Sequence, residues 1–318
     1  MNSPHNTPGL EKTPALDLVS VVIATIGRPD MLRDAVKSIL AQDYTGPVEV
    51  LVVFDGIDID KLRDIEIPPN RDVRLMQNSR TKGLAGGRNT GILAAAGQII
   101  GFCDDDDLWH PNKLSLQLDL WSRHQKEAIA ISGGITVRSD AGQTDRCPPS
   151  QTSFRDFLSS RVTAIHPSTM LFRWEDFMGR VGLVDEALPS SYGEDYDLLL
   201  RATRFGDVWS VPFPLVTVRW DRPSFFAGKW RSMAVGLTYI LRKFPELEES
   251  PHGVARIASQ VAFSHAALGE RRAALHWAYS ALRRNPQQLR AYAALAVAAG
   301  LVSPQRLLDT VNRRGRGL

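Results

Sequence analysis

The sequence is poor in cysteine: of 318 residues only Cys103 and Cys147 carry thiols. Two cannot staple a chain of this length, which excludes a disulfide framework and points to a reducing, cytoplasmic setting. Cys103 lies in an apolar stretch and is expected to pack, not to react. Long apolar runs are also missing. None approaches the roughly 18 residues of a membrane-spanning helix, so the chain is expected to be soluble, or peripheral at the inner face of the cell membrane. The opening MNSPHNTPGLEKTPALDL has no apolar core of signal-peptide length, and residues 1–17 read as a disordered tail. A large excess of one charge is absent too. The formal net charge is +3, too small to imply a nucleic-acid partner.

What is present is an ordinary globular composition, 43% hydrophobic and 23% charged. The length suits one large domain or a domain with an appendage. VSVVIAT (19–25) is a β-branched run, and PDMLRDAVKSIL after it places Met31, Leu32, Ala35, Val36, Ile39 and Leu40 at helical spacing. Pro29 suits the first turn of that helix. VEVLVVFDG (48–56), DVRLMQN (72–78) and GQIIGFC (97–103) read as further strands, with helices from 83–96 and 110–124. Strands alternating with helices predict an α/β sandwich around a mainly parallel sheet.

The second half is mixed. AIHPSTMLFRW (164–174) reads as a strand, SYGEDYDLLLRATRFG (191–206) as a loop entering a short helix. DVWSVPFPLVTVRW (207–220) reads as two short strands split by prolines. From residue 227 to 318 the pattern is helical, and LGERRAALHWAYSALRRNP (268–286) has tetratricopeptide-like spacing. About one and a half units are visible where a solenoid needs roughly three, so a helical appendage packed on the first domain is expected. Residues 271–318 carry nine arginines against one acidic residue, Asp309, a balance suited to an anionic lipid surface.

Ligands of parallel α/β sheets bind beyond the carboxyl ends of the strands. Thr25, Asp55 and the run Asp104–Asp107 all fall there. Neighbouring carboxylates repel by a few kcal/mol per pair at about 4 Å and intermediate dielectric. A bound divalent cation would relieve that repulsion. GLAGGRNTG lacks the Lys-Ser/Thr of a P-loop, so its glycines are expected to serve close packing.

Four blocks, in order, resemble the family 2 inverting nucleotide-sugar glycosyltransferases of GT-A fold: VSVVIATIGRPDMLRDAVKSILAQDY, VLVVFDG, NSRTKGLAGGRNTGILAAAGQIIGFCDDDD and VGLVDEALPSSYGEDYDLLLRATRFG. The resemblance covers about residues 18–225 and implies a GT-A domain over 18–226. It implies a sugar transferred from a nucleoside diphosphate, most readily a UDP-sugar, to a hydroxyl of a glycan or lipid-linked glycan, as in cell-surface polysaccharide synthesis. Mn²⁺ or Mg²⁺ would stabilise the departing diphosphate.

By register with the family's aspartate–any–aspartate motif, Asp104 reaches the ribose and metal and Asp106 the metal. Asp55 matches the base-reading aspartate, although Phe54 stands where many relatives carry a second one. Thr25 and Arg88 match nucleotide contacts, and Asn89 completes the family's Arg-Asn pair. In the Glu194–Asp195 pair, Asp195 corresponds to the base that takes the acceptor proton; Asp197 should face elsewhere. His166 and Ser168 fall on the acceptor side, where Trp109 either stacks on a sugar or plugs the core, and Arg222 falls on a basic loop over the diphosphate. Two alternatives remain open: a nucleotidyltransferase, for which ATIGRPD offers little beyond Gly27 and Arg28, and a non-catalytic nucleotide-sugar-binding or scaffolding protein.

Overall fold

The computed structural model describes residues 17–139, 142–220 and 228–307; most of the expected tail, Arg222 and the last arginines lie outside them. The first half runs β1 (Val19–Thr25), α1 (Pro29–Leu40), β2 (Val48–Phe54), β3 (Arg71–Gln77), α2 (Leu84–Ala94), β4 (Ile99–Phe102), β5 (Leu108–Trp109), α3 (Lys113–Arg123) and β6 (Ala128–Ser139). Then follow β7 (Gly142–Arg146), β8 (Gln151–Thr152), α4 (Phe154–Ser159), β9 (Leu171–Arg173), α5 (Trp174–Asp176), α6 (Glu194–Ala202) and β10 (Asp207–Arg219). Helices α7 (Trp230–Lys243), α8 (Pro251–Ala267), α9 (Arg271–Arg284) and α10 (Leu289–Ala298) close the described chain.

The sheet order is β3-β2-β1-β4-β9-β6-β10-β5, with β7 on β6 and β8 on β10. The β3-β2-β1-β4 half is parallel, and β6 and β10 form a second parallel pair. Strand β9 joins the halves by running antiparallel to both β4 and β6.

Successive strand residues point to opposite faces, and β1 and β2 are buried on both. Val19, Val21, Ile23, Val50 and Val52 pack with α1 and α3. Val22, Leu51 and Val53 pack in a second core with α2, α6, α7 and α8. Glycines bring α2 close to the sheet, as expected: a Cβ on Gly91 would lie 2.3 Å from Val22 Cγ1. Helices α7 and α8 contribute Leu237, Ile240, Val254, Ile257 and Val261 to the core they share with the sheet. On its other face α8 meets α9 and α10 through alanines, among them Ala258, Ala262, Ala274, Ala278, Ala291 and Ala294. Small side chains let these backbones approach.

Two segments differ from the sequence reading. Residues 164–174 are not one strand: Pro167 starts a single 3₁₀ turn, Pro167–Thr169, and only Leu171–Arg173 pairs. The prolines at 212 and 214 do not split 207–219 either. β10 is continuous, and register shifts on both sides of Pro214 absorb the missing N–H groups.

Candidate active site

The run after β4 resolves into four carboxylates, each with its own partner. Asp104 accepts from Arg88 Nη2 at 2.8 Å. Asp105 accepts from Thr25 Oγ1 at 2.6 Å and lies 3.2 Å from Arg28 Nη1. Asp106 is held by the same Arg28 nitrogen. Asp107, at the bottom of the loop, accepts from Ser168 Oγ at 2.5 Å and lies 3.3 Å from His166 Nδ1. Ser168 also accepts from the Asp104 N–H at 3.0 Å, so one buried hydroxyl ties both ends of the run.

Burial moves these groups. It pushes Asp105 up to about 6 while Thr25 and Arg28 pull it down. It pushes Asp107 well above the usual carboxylate range, with the Asp104 charge adding to the effect. Burial lowers His166, against the pull of Asp104 and Asp195, which favours a neutral imidazole. Ligand atoms of Asp104, Asp107 and His166 lie within 4.8 Å of one another. Two carboxylates and a neutral imidazole form a fitting donor set for Mn²⁺, and the carboxylates alone for Mg²⁺.

The second acidic centre opens α6. Gly193 turns the chain into the helix at φ 89°, where a Cβ would strike Ile240 Cδ1 at 2.9 Å. Glu194 and Asp195 therefore occupy its first turn. Arg88, buried to 3% exposure, donates from Nη1 to Glu194 and from Nη2 to Asp104. A single guanidinium thus joins two carboxylates ninety residues apart in sequence, with Phe102 5.2 Å beneath it. Burial presses Glu194 above the usual carboxylate range, opposed by Arg88.

Asp195 has a partner that sequence reasoning missed. Arg161, in the loop after α4, donates to both its oxygens at 2.6 and 2.7 Å. Burial favours the protonated acid, but the Arg161 guanidinium overrides it and holds Asp195 below the usual carboxylate range. Asp197 does face elsewhere, onto Arg201 at 2.9 Å and Lys243 at 2.6 Å.

The other expected residues fall as follows. Asp55 accepts from Asn78 Nδ2 at 2.7 Å and from the Gly83 N–H at 2.8 Å, tying β2 to the start of α2. Asn89 clamps the 184–186 loop, donating to Val184 O and Glu186 and accepting from the Val184 N–H. Thr25 is turned onto Asp105. Trp109 requires correction: it is 3% exposed in β5, with Lys113 Nζ 3.6 Å over its ring, so neither face is open to a sugar on the acceptor side. Ser168 is fully buried under the aspartate run. Arg161 was the main omission, and Arg28, named only for the nucleotidyltransferase alternative, was not expected on the aspartate run; no periodicity or spacing marks either role.

Polar strand ends carrying an acidic run thus meet a second acidic pair across a buried arginine. Residues 20–177 match the family described as glycosyl transferase family 2. Over 103 residues it is 31% identical to UDP-Glc:alpha-D-GlcNAc-diphosphoundecaprenol beta-1,3-glucosyltransferase WfgD of Escherichia coli, covering 32% of this chain and 40% of that one. The chain spans 30% to 69% of the length of the curated relatives it resembles. Among solved structures, S. aureus TarS 1-349 in complex with UDP-GlcNAc superposes with TM-score 0.57 at 17% identity, over 94% of this chain and 92% of that one. Mannosyltransferase PcManGT from Pyrobaculum calidifontis, in complex with GDP-Man and Mn²⁺, superposes with TM-score 0.56 at 18% identity, over 95% and 81%. At these identities the structural likeness speaks for the fold.

Proposed function

We propose that this chain is a metal-dependent, inverting glycosyltransferase moving a sugar from a nucleoside-diphosphate sugar to a hydroxyl of a glycan or lipid-linked glycan. The observation that carries this reading is Arg88, which brings the donor-side Asp104 and the α6 pair into one site. Asp195 takes the acceptor proton as the hydroxyl oxygen bonds to the anomeric carbon from the face opposite the leaving diphosphate. The sugar–phosphate bond breaks with its electron pair passing to the diphosphate oxygen. Glu194 holds Arg88 in place, and Arg88 balances charge between the two centres.

Asp104, Asp107 and His166 are the residues proposed to hold a divalent cation, Mn²⁺ or Mg²⁺. Such a cation supplies Lewis-acid stabilisation of the diphosphate. Asp106, the family-register ligand, becomes available when Arg28 releases it. Asp55 and Thr25 are proposed to line the nucleotide side; Arg222, assigned to the diphosphate by the family resemblance, lies outside the described residues. A UDP-sugar is the favoured donor, in keeping with the UDP-Glc and UDP-GlcNAc named for two of the relatives.

Among the described residues no helix is long and apolar enough to cross a membrane. Contact with anionic lipid is therefore proposed to be peripheral, through the arginines of α9 and its surroundings. A thermal-shift screen of UDP- and GDP-sugars with and without Mn²⁺ tests the donor reading. Stabilisation by one nucleotide sugar, dependent on the metal, is expected; no shift with any of them would overturn it.

A further inference from the structure

Arg161 faces Asp195 and Glu194, whereas no carboxylate is among the groups facing Arg256 or Arg290; the start of α10 is held on α8 by Gln288 Nε2 donating to Ser259 Oγ at 2.9 Å. Arg161 comes from the loop after α4, Arg256 from α8 and Arg290 from α10. Arg161 takes both oxygens of Asp195. Arg256 donates from Nη2 to Tyr196 Oη at 3.2 Å and lies 5.6 Å from that ring's centroid. Its Nε is buried with no hydrogen-bond partner among the described residues. Burial lowers Arg256 below its ordinary value, with Tyr196 opposing and the Arg161 charge adding to the effect. Burial and the neighbouring Arg256 likewise lower Arg290, with Tyr192 opposing.

Burying Arg256 and Arg290 near one another with no carboxylate facing either is unfavourable on its own. Each loses hydration on burial, and each repels the other. The arrangement becomes favourable when an oxyanion enters, because guanidinium forks match phosphoryl oxygens with paired, charge-assisted hydrogen bonds. The aspartate run does not supply the missing charge. The charged and phenolic groups facing Arg256 and Arg290 are Tyr196, Arg161 and Tyr192, all on the α6 side of the site. The donor diphosphate belongs with Asp104, across Arg88. An anion bound here would belong to the other substrate.

We propose that Arg256 and Arg290, together with Arg161, form an oxyanion site for a phosphoryl group carried by the acceptor, so that the acceptor is a phosphate- or diphosphate-bearing glycan. The inference rests on the reading of Asp195 as the base. It gives the C-terminal helices a part in recognition, since two of the three arginines are theirs. It also gives Arg161 a second anionic partner: an arriving phosphoryl group competes for that guanidinium and loosens its grip on Asp195 when the acceptor is in place.

The test uses the full chain. Inorganic pyrophosphate is titrated calorimetrically into protein held in EDTA, so that no metal supports binding at the donor side. Binding is expected, and Arg256→Gln and Arg290→Gln should each weaken it roughly tenfold, the scale of one lost charge-assisted contact. Arg123→Gln, on the exposed face of α3, should leave it unchanged. Arg256→Lys and Arg290→Lys, which keep the charge and lose the fork, should fall between and provide a readout if a glutamine variant folds poorly. No binding by the unmodified chain, or equal binding by the arginine variants, would overturn the proposal.

A parallel titration of UDP with Mn²⁺ separates this inference from the donor reading. The arginine variants should retain unmodified UDP affinity, whereas absent UDP binding would sink the donor reading and leave the pyrophosphate result interpretable. Phosphatidylcholine vesicles with and without polyprenyl diphosphate distinguish the acceptor's source. Arginine-dependent cosedimentation with the diphosphate lipid assigns the site to a lipid-linked acceptor; pyrophosphate binding without cosedimentation assigns it to a soluble phosphorylated one.

Discussion

Arg161 holds both carboxylate oxygens of Asp195, at 2.6 and 2.7 Å. The proposed base is thus kept ionised by a guanidinium that the acceptor must partly displace. Arg161 lowers the Asp195 pKa, so its removal raises that pKa and confines the ionised base to higher pH. Arg161→Gln is expected to move the acidic limb of the kcat/KM profile upward, with more activity retained in alkaline than in acidic buffer. A limb that stays in place would show that this ion pair does not set the base's ionisation.

Arg88 is the hinge between the two acidic centres, and its contacts are buried. Arg88→Leu leaves Glu194, with 5% of its side chain exposed, without its cation. Removing one member of a buried pair costs about 3–5 kcal/mol, to be read as a fall in urea-unfolding stability. Arg88→Lys keeps a charge but lacks a fork that reaches Glu194 and Asp104 together, and should recover only part of the loss. A loss near zero for the leucine variant would contradict the bridge.

The cation set separates the geometry from the family register. Asp107→Asn and His166→Ala are each expected to weaken Mn²⁺ binding by roughly 10–100-fold, followed by calorimetry. Arg28→Ala should tighten it by freeing Asp106. Should Asp106→Asn alone abolish binding while the other two variants bind normally, the register assignment would stand and the Asp104–Asp107–His166 set would fall.

These cases show which parts of the molecule a reader of the sequence can reach. The alternation of β1, α1 and β2 is legible because Val21, Val22, Leu32 and Val36 repeat with the periods of strand and helix. Asp104 and the Glu194–Asp195 pair are legible because they follow an apolar strand and open a helix, in an order that resembles a known family. The partners are not. Arg28 meets Asp106 across 78 residues, Ser168 meets Asp107 across 61, and Arg161 meets Asp195 across 34. Such pairings follow from how the sheet is wound and leave no local pattern. Trp109 shows the same limit: an aromatic beside an acidic run suits either a sugar or the core, and only the fold shows it buried with Lys113 over its ring. In β10, prolines that usually end strands sit at bulges, which propensity alone does not reveal.

Glu186 offers a test of stability against pH. It accepts from Asn89 Nδ2 at 2.6 Å and Thr81 Oγ1 at 2.5 Å, and it pairs with Arg80. Burial favours its protonated form, but these donors hold it at about 2, below the ordinary 4.5. A depressed carboxylate contributes stability above its unfolded pKa and loses it as pH falls through the folded one. The clamp on the 184–186 loop should therefore weaken between about pH 4.5 and 2. Glu186→Gln should lower stability at pH 7 and flatten that acid-induced loss, measured by urea unfolding across the range. Parallel pH curves for the two proteins would rule the clamp out.

The most direct test of Asp195 as the base is sugar transfer by Asp195→Asn, run beside nucleotide-sugar binding by the same protein in the presence of Mn²⁺. Loss of a positioned general base costs about 10²–10⁴ in rate. A fall in turnover of that size with donor affinity unchanged is expected. Turnover near that of the unmodified chain would contradict that role.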